Sequence, residues 1–289
     1  MTAVVLAVVS AVLFGLMSVT VRMGLGGGAA AETGSLVTAL TAFAVTIVVA
    51  AVSVAGGAGV HLGELWPFLL AGVLAPGLSQ LFFFQAVRDI GASRTSVVVG
   101  VAPLVAVAIA LVALDEPARP LLLVAAVAIV AGSVALGLEP ERPQGFKRAG
   151  VVFALLTTTM FATRDDVLRW LARDTTTAPL PAAAVSMAGG VATLALFLLA
   201  RRRVSRPALR AAARQFVLPG VLFGLSYAFL FEAYYRGRVT IVSPLVATES
   251  LFGVAFSVLL LRRSELVGRH VAFGAALIVG GAALIGATR

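Results

Sequence analysis

Apolar residues run along this chain in blocks of about twenty, separated by short clusters of charge, glycine and proline. Blocks of that length cross about 30 Å of hydrocarbon at about 1.5 Å per residue. The pattern predicts ten of them, at roughly 2–22, 34–55, 66–87, 93–113, 119–138, 149–170, 179–200, 215–236, 239–261 and 267–287. None alternates apolar and polar positions as a barrel strand does, and backbone groups cannot stay unpaired in lipid, so each is expected to be a helix. The first block, "MTAVVLAVVSAVLFGLMSVTV", has no basic start of the kind a secretory leader carries, and is long enough to be the first span. The polar stretch "EPERPQGFKRAG" at 139–150 predicts a seam: a first unit over 1–138, a linker over 139–148 and a second unit over 149–289.

The two units repeat each other. "GLSQLFFFQA" at 77–86 returns 147 residues later as "GLSYAFLFEA" at 224–233, with six of ten positions identical. At the same offset Phe14, Gly15 and Arg22 meet Phe161, Ala162 and Arg169. The offset then drifts to 149, where Glu116 meets Glu265 and "AVAIVAGSVALG" (126–137) meets "AALIVGGAALIG" (275–286). A unit of five spans is odd, so the second copy re-enters from the opposite face and sits upside down. The expected fold is therefore an all-α integral membrane protein with ten transmembrane helices in two inverted five-helix repeats, the architecture of secondary transporters. Gly77 with Ser79, and Gly224 with Ser226, are small residues that let helices approach closely where lipid supplies no hydrophobic drive.

Composition agrees with a membrane setting: 60% of the 289 residues are hydrophobic, 12% are charged, and mean hydropathy is +1.05. Cysteine is absent, which removes disulfides, thiolate nucleophiles and Cys-based metal sites. His61 and His270 fall in or beside loops, so no metal site is expected. "GLGGGAAAETG" (24–34) lacks the Lys-Ser/Thr of a nucleotide-binding loop and reads as a connector, with no cofactor implied. An intramembrane hydrolase would need paired ligands or an activated nucleophile at depth, and neither is present, so the chain is not expected to be an enzyme. A net charge of +9 points to anionic lipid as a partner. "RRRVSRPALR" (201–210) reads as an interfacial anchor, and nothing supports nucleic-acid binding.

Ionisable groups at mid-depth are costly, by about 2.5–3.5 kcal/mol each on insertion scales, and are therefore candidates for function. Glu249 sits near the middle of the ninth block, too deep for its short side chain to reach water, and reads either as a buried acid hydrogen-bonded to a neighbouring helix or, more sharply, as a cavity-lining acid for a cationic or amino group or a coupling proton. In the sixth block, "FATRDDVLRW", Asp165 and Arg169 are four apart, and the acid-before-base order predicts that they pair. Arg164 is then left to find a partner on another helix or a carboxylate or phosphate of the substrate, which its planar fork suits. Gln80 and Gln85 of the first decapeptide, and Tyr227 and Glu232 of the second, are polar candidates along the same path. Glu232 occupies the place of Gln85, so a shared hydrogen-bonding role is expected, with a gate or proton relay as the sharper alternative. Arg94, at the start of the fourth block, is an interfacial anchor or a gate.

The whole chain, in its "FG" of the first span, "GASRTSVVVGVAPLVAVAIALVALDE" (91–116) and "VTIVSPLVATESLFGVAFSVLLLRRSE" (239–265), resembles the two EamA repeats of the drug/metabolite transporter superfamily. Pro103-Leu104, Pro244-Leu245, Glu116 and Glu265 fit that pattern, whereas Glu249-Ser250 stands where the first half has Ala102-Pro103. The resemblance implies a central cavity, coupling to an ion gradient or to exchange, and export of amino acids or related small polar metabolites across the cell membrane. One chain holds a complete inverted pair and so could act as a monomer. A flippase for a lipid-linked sugar and a non-transport scaffold are the alternatives. Fifteen Lys and Arg fall in loops opposite the termini and seven on the termini's side, which by the positive-inside rule places both termini outside. The resemblance implies cytoplasmic termini, and labelling of Thr2→Cys in intact cells separates the two.

Overall fold

A computed structural model of the chain describes residues 2–26, 31–90, 95, 98–137, 147–201, 206–261 and 269–287. The described residues form helices joined by turns, with no strand among them. In chain order they are α1 (Thr2–Gly26), α2 (Ala31–Ala55), α3 (Trp66–Gly72), α4 (Ser79–Ile90), α5 (Ala102–Ala113), α6 (Pro120–Gly137), α7 (Arg148–Asp174), α8 (Pro179–Ala200), α9 (Arg206–Arg236), α10 (Val239–Val246), α11 (Glu249–Leu261) and α12 (Arg269–Ala287). Among the described residues six stretches are long and apolar enough to cross a membrane, at Thr2–Val21, Glu32–Ala55, Leu62–Phe83, Pro179–Ala200, Pro207–Arg236 and Val239–Leu260. Three shorter helices, α5, α6 and α12, are also apolar. The 27-residue α7 is long enough but carries Arg164, Asp165, Asp166 and Arg169 in its C-terminal half.

Two of the predicted blocks are interrupted. Between α3 and α4 the chain makes a wide π turn over Val73–Leu78, where Ala75 is extended (φ −148°, ψ 122°) and Pro76 follows it. Proline has no N–H to give the ladder and disfavours helical geometry in the residue before it, so the break falls where the sequence places Pro76. Between α10 and α11 the helix gives way to a turn at Ala247–Thr248. The Ala247 carbonyl, which takes the Ser250 N–H at 3.4 Å, also accepts from Ser133 Oγ at 3.3 Å and Ser250 Oγ at 3.0 Å. The eighth block starts earlier than its hydropathy suggests: α9 begins at Arg206, because the Ala- and Arg-rich stretch ahead of residue 215 is made of good helix formers.

Helix α9 is the spine. It packs on α1 and α2, and touches α7, α8 and α10. Phe223, Tyr227, Phe231 and Tyr234 of α9 are all buried. Successive centroids of the first three lie 5.8 Å and 5.0 Å apart, and Phe14 of α1 meets Phe223 edge-on at 5.9 Å. Small residues bring the backbones together, as expected of the repeated decapeptides. A Cβ on Gly224 would stand 2.7 Å from the Ala42 carbonyl of α2, and one on Gly77 would stand 2.9 Å from Thr193 of α8. The tightest approach is between α3 and α8, where a Cβ on Gly72 would overlap the Ser186 carbonyl.

Polar contacts show which ends lie together. Ala178 donates its N–H to the Gly59 carbonyl (2.9 Å), Arg173 donates to the Leu114 carbonyl (2.9 Å), and Gly237 lies against Ala3. The turns near 59, 115, 178 and 237 therefore gather at the end that holds the N-terminus, called here the terminal end. At the opposite end Lys147 N–H reaches the Asp89 carbonyl (3.0 Å), and Phe216 fills the space beside Gly24 and Gly34.

Candidate functional site

The charged turn of α7 faces the two helix breaks. Arg164 bonds its immediate neighbour, Nε to Asp165 Oδ1 at 2.9 Å and Nη2 to the same oxygen at 2.8 Å. The other Asp165 oxygen accepts from Ser243 Oγ of α10 at 3.0 Å. The guanidinium also lies over two rings, 5.7 Å from the centroid of Phe161 and 5.9 Å from that of Tyr227. The Tyr227 hydroxyl donates to the Ala75 carbonyl at 3.2 Å and pairs with Ser186 Oγ at 2.9 Å. The break at Ala75 thus supplies the acceptor that fixes Tyr227, and Tyr227 in turn supports Arg164.

The pairing expected between Asp165 and Arg169 does not form, and Arg164 needs no distant partner. Ser243 draws Asp165 toward α10, which brings its first oxygen under Arg164. Arg169 instead turns to the end of α9, where Nη1 donates to the carbonyls of Tyr234 (3.0 Å) and Tyr235 (3.5 Å). The last carbonyls of a helix have no partner inside it, so a basic side chain caps them. The helix-face rule competed with tertiary partners and lost.

Glu249 opens α11 just past the Ala247–Thr248 turn. Its backbone carbonyl and Gly253 lie against Gly15, where a Cβ would come within 2.8 Å of each. Arg164 and Asp165 are the charges that act on Glu249. The structure therefore brings Glu249, Arg164, Asp165 and Tyr227 of the sequence-derived candidates into one neighbourhood, formed by α7, α9 and the broken α10–α11 segment.

The remaining candidates lie apart from it. Gln85 donates Nε2 to Asp89 Oδ2 at 3.5 Å, one turn along α4. Glu232 forms an ion pair with Arg236 one turn along α9, and Arg236 also bonds the Glu232 carbonyl at 3.1 Å. Asp89 and Arg236 are themselves 147 residues apart, so the change from Gln85 to Glu232 follows the change of its neighbour from acid to base. A donor serves Asp89; an acceptor serves Arg236. Gln80, which occupies the repeat position of Tyr227, has a buried Oε1 with no hydrogen-bond partner. Arg94, Glu265 and most of the linker at 139–148 lie outside the described residues.

Several polar contacts fall outside the sequence-derived site candidates, although Ser79, Ser226 and Glu116 were read there as packing or family-pattern residues. Ser10 and Ser226 exchange hydrogen bonds to each other's carbonyls, both at 2.9 Å, between α1 and α9. At the same offset of 147, Thr157 of α7 reaches the Ser79 carbonyl of α4 at 3.4 Å. Two carboxylates clamp separate segments together at the terminal end. Glu116 accepts from Val239 N–H (2.9 Å), Thr240 N–H (3.0 Å) and Thr240 Oγ1 (2.8 Å) at the start of α10, with Arg173 Nη2 at 3.9 Å. Glu64 accepts from Thr175 Oγ1 (2.6 Å) and the N–H groups of Thr176 (2.9 Å) and Thr177 (3.1 Å). A run of threonines opposite one glutamate over a hundred residues away has no sequence signature. Beside that second clamp, an open cleft of about 260 Å³ lies between Pro67 and Phe68 on one side and Trp170 and Leu171 on the other, away from the charged cluster. Among the described residues no group of three His, Cys, Asp or Glu is placed to hold a metal ion.

An all-helical chain with apolar spans and a charged cluster held among its helices is a multi-pass membrane protein, and its sequence relatives say of which kind. The model of the EamA-like transporter family matches residues 1–138 and 148–287. The chain belongs to that family, and is a transporter of the drug/metabolite type. A solved crystal structure shares the fold over 98% of this chain and 95% of its own, with a TM-score of 0.74 and 20% identity. A search of the curated proteins finds no match.

Proposed function

We propose that this chain is a secondary transporter that exports small polar metabolites, such as amino acids or related compounds, from the cell by alternating access. In this reading ten helices cross the cell membrane as two inverted five-helix units, 1–138 and 149–289, joined by the linker at 139–148. The observation that carries it is the cluster of Arg164, Asp165, Tyr227 and Glu249 beside two interrupted helices. Broken spans whose ends face a polar site at mid-depth are how transporters bind substrate and ions inside a bilayer. Matched cross-contacts support the inverted pairing: Ser10 with Ser226, and Thr157 with Ser79, join first-half to second-half helices at equivalent repeat positions.

The chemistry of the cluster sets the substrate class. Glu249 takes a substrate ammonium, and Arg164, released in part from Asp165, takes a carboxylate. Tyr227, held by Ala75 and Ser186, keeps its ring against Arg164. With the Glu116 and Glu64 clamps closed, the terminal end is shut, and opening them turns the site to that side. The reading is tested by comparing metabolites inside and outside cells expressing the wild type, Glu249→Gln or Arg164→Ala at matched membrane abundance. Export of one chemical class by the wild type, lost in both variants, is expected. Identical profiles in all three would overturn it and bring a lipid-linked substrate forward.

A further inference from the structure

Asp166 is the one buried acid of α7 that none of the interactions above uses. It is 4% exposed, and neither carboxylate oxygen has a hydrogen-bond partner. It lies eight residues, or about 12 Å, from the terminal-end tip of α7. Two helical turns further on, roughly on the same face, is Arg173, which bonds the Leu114 carbonyl and lies beside Glu116.

Among the described residues, no ion pair joins Asp166 to a cation. The helices and turn packed against it are α3, the turn at 73–78, α4, α5, α9 and α10. The first two, α5 and α10 contain no ionisable residue, and α5 is followed by Asp115 and Glu116. Helix α4 has Arg88 and Asp89 near the opposite end; α9 has Arg206, Arg210 and Arg214 at one end, Glu232 and Arg236 at the other, and Tyr227, Tyr234 and Tyr235 between, and Arg238 stands just ahead of α10. On α7 itself, Arg164 is committed to Asp165 and Arg169 to the end of α9. Asp165, the chain neighbour of Asp166, is an acid, and so is Glu116, which Arg173 meets two turns further along α7. A carboxylate shut among packed helices with no hydrogen-bond partner, beside other acids, is a state that a proton relieves.

We propose that Asp166 is a proton-binding site, neutral while the terminal end is closed, that gives its proton to water when the Glu116 clamp opens. The proposal rests on the transporter reading and names its coupling group. The balance is simple: one O–H bond of the Asp166 carboxyl breaks, and the proton leaves to the side exposed by opening. Glu116 links the two events in this proposal, because the acid that ties α10 also meets Arg173, two turns along α7 from Asp166.

The test is infrared spectroscopy of the purified full chain in lipid, with aspartate carrying carbon-13 in its side-chain carboxyl so that Asp bands separate from Glu. At neutral pH a protonated-carboxyl band that moves with the label is expected. It should vanish in Asp166→Asn and persist in Glu249→Gln. No labelled band at neutral pH, or a band that survives Asp166→Asn, would overturn the proposal. The wild-type spectrum alone reads protonation, so a poorly folding Asn variant does not shield the claim. The measurement involves no transport: a missing band leaves the transporter reading standing, whereas a chain that keeps the band and moves no metabolite counts against that reading alone.

Discussion

Replacing Glu116 by alanine removes the acid that ties the end of α5 to the start of α10. Its carboxylate, 4% exposed, accepts from two backbone donors on residues that are themselves 0% and 2% exposed, Val239 and Thr240, and from the Thr240 hydroxyl. Losing a cap of this kind costs about 1–2 kcal/mol, and a buried donor left unpaired costs about 1–3 kcal/mol. These overlap, since the cap is one of the donors' partners, so the net loss is on the order of 3 kcal/mol, or roughly a hundredfold in the unfolding equilibrium. Glu116→Gln keeps one acceptor oxygen and places an amide N–H against a backbone N–H, so about half that loss is expected. Detergent-mixture unfolding of purified protein, followed by helical signal, reads both. An alanine variant within about 0.5 kcal/mol of wild type, the range of a surface substitution, would refute the reasoning.

Three further outcomes follow from the packing and the repeat. Gly72→Ala should lower stability by about 1–3 kcal/mol because the new methyl overlaps the Ser186 carbonyl, whereas Gly280→Ala, with nothing within 4 Å of its Cβ, should be neutral or slightly stabilising; thermal scans of both decide it. Gln85→Glu should cost more than Glu232→Gln, since the first sets like charges four apart beside buried Asp89 and the second keeps a hydrogen bond to exposed Arg236, and equal losses would count against the matched-partner account. Ser10→Ala should cost about 1–2 kcal/mol by leaving Ser226 with half of its exchange, read in the same unfolding assay.

Much of this fold is legible in the sequence because lipid enforces it. Apolar runs, Pro76 and the charged turns locate the helices, and the break at Ala75 lies one residue before the proline that causes it. The offset of 147 exposes the repeat, and it even explains Glu232, once its neighbour Arg236 is set against Asp89. Side-chain partners were less legible. The helix-face rule pairs Asp165 with Arg169, but it weighs only one helix, whereas Ser243 and the carbonyls of Tyr234 and Tyr235 arrive from others. The start of α9 was misplaced for a similar reason: hydropathy measures lipid contact, and a helix built on Ala and Arg continues past the lipid. Asp166, Glu64 and the threonines at 175–177 carry no local signal, since their meaning lies in what stands across from them in space.

Alternation between two faces is most directly read as a distance across the terminal end. The chain has no cysteine, so Leu62→Cys and Asp174→Cys, both at exposed positions flanking the Glu64 clamp, carry the only spin labels. Pulsed electron resonance of this pair in liposomes should give two distance populations, a short one with the clamps closed and a longer one, with Glu116→Ala shifting weight to the longer. A single short population that Glu116→Ala leaves unchanged would contradict the account.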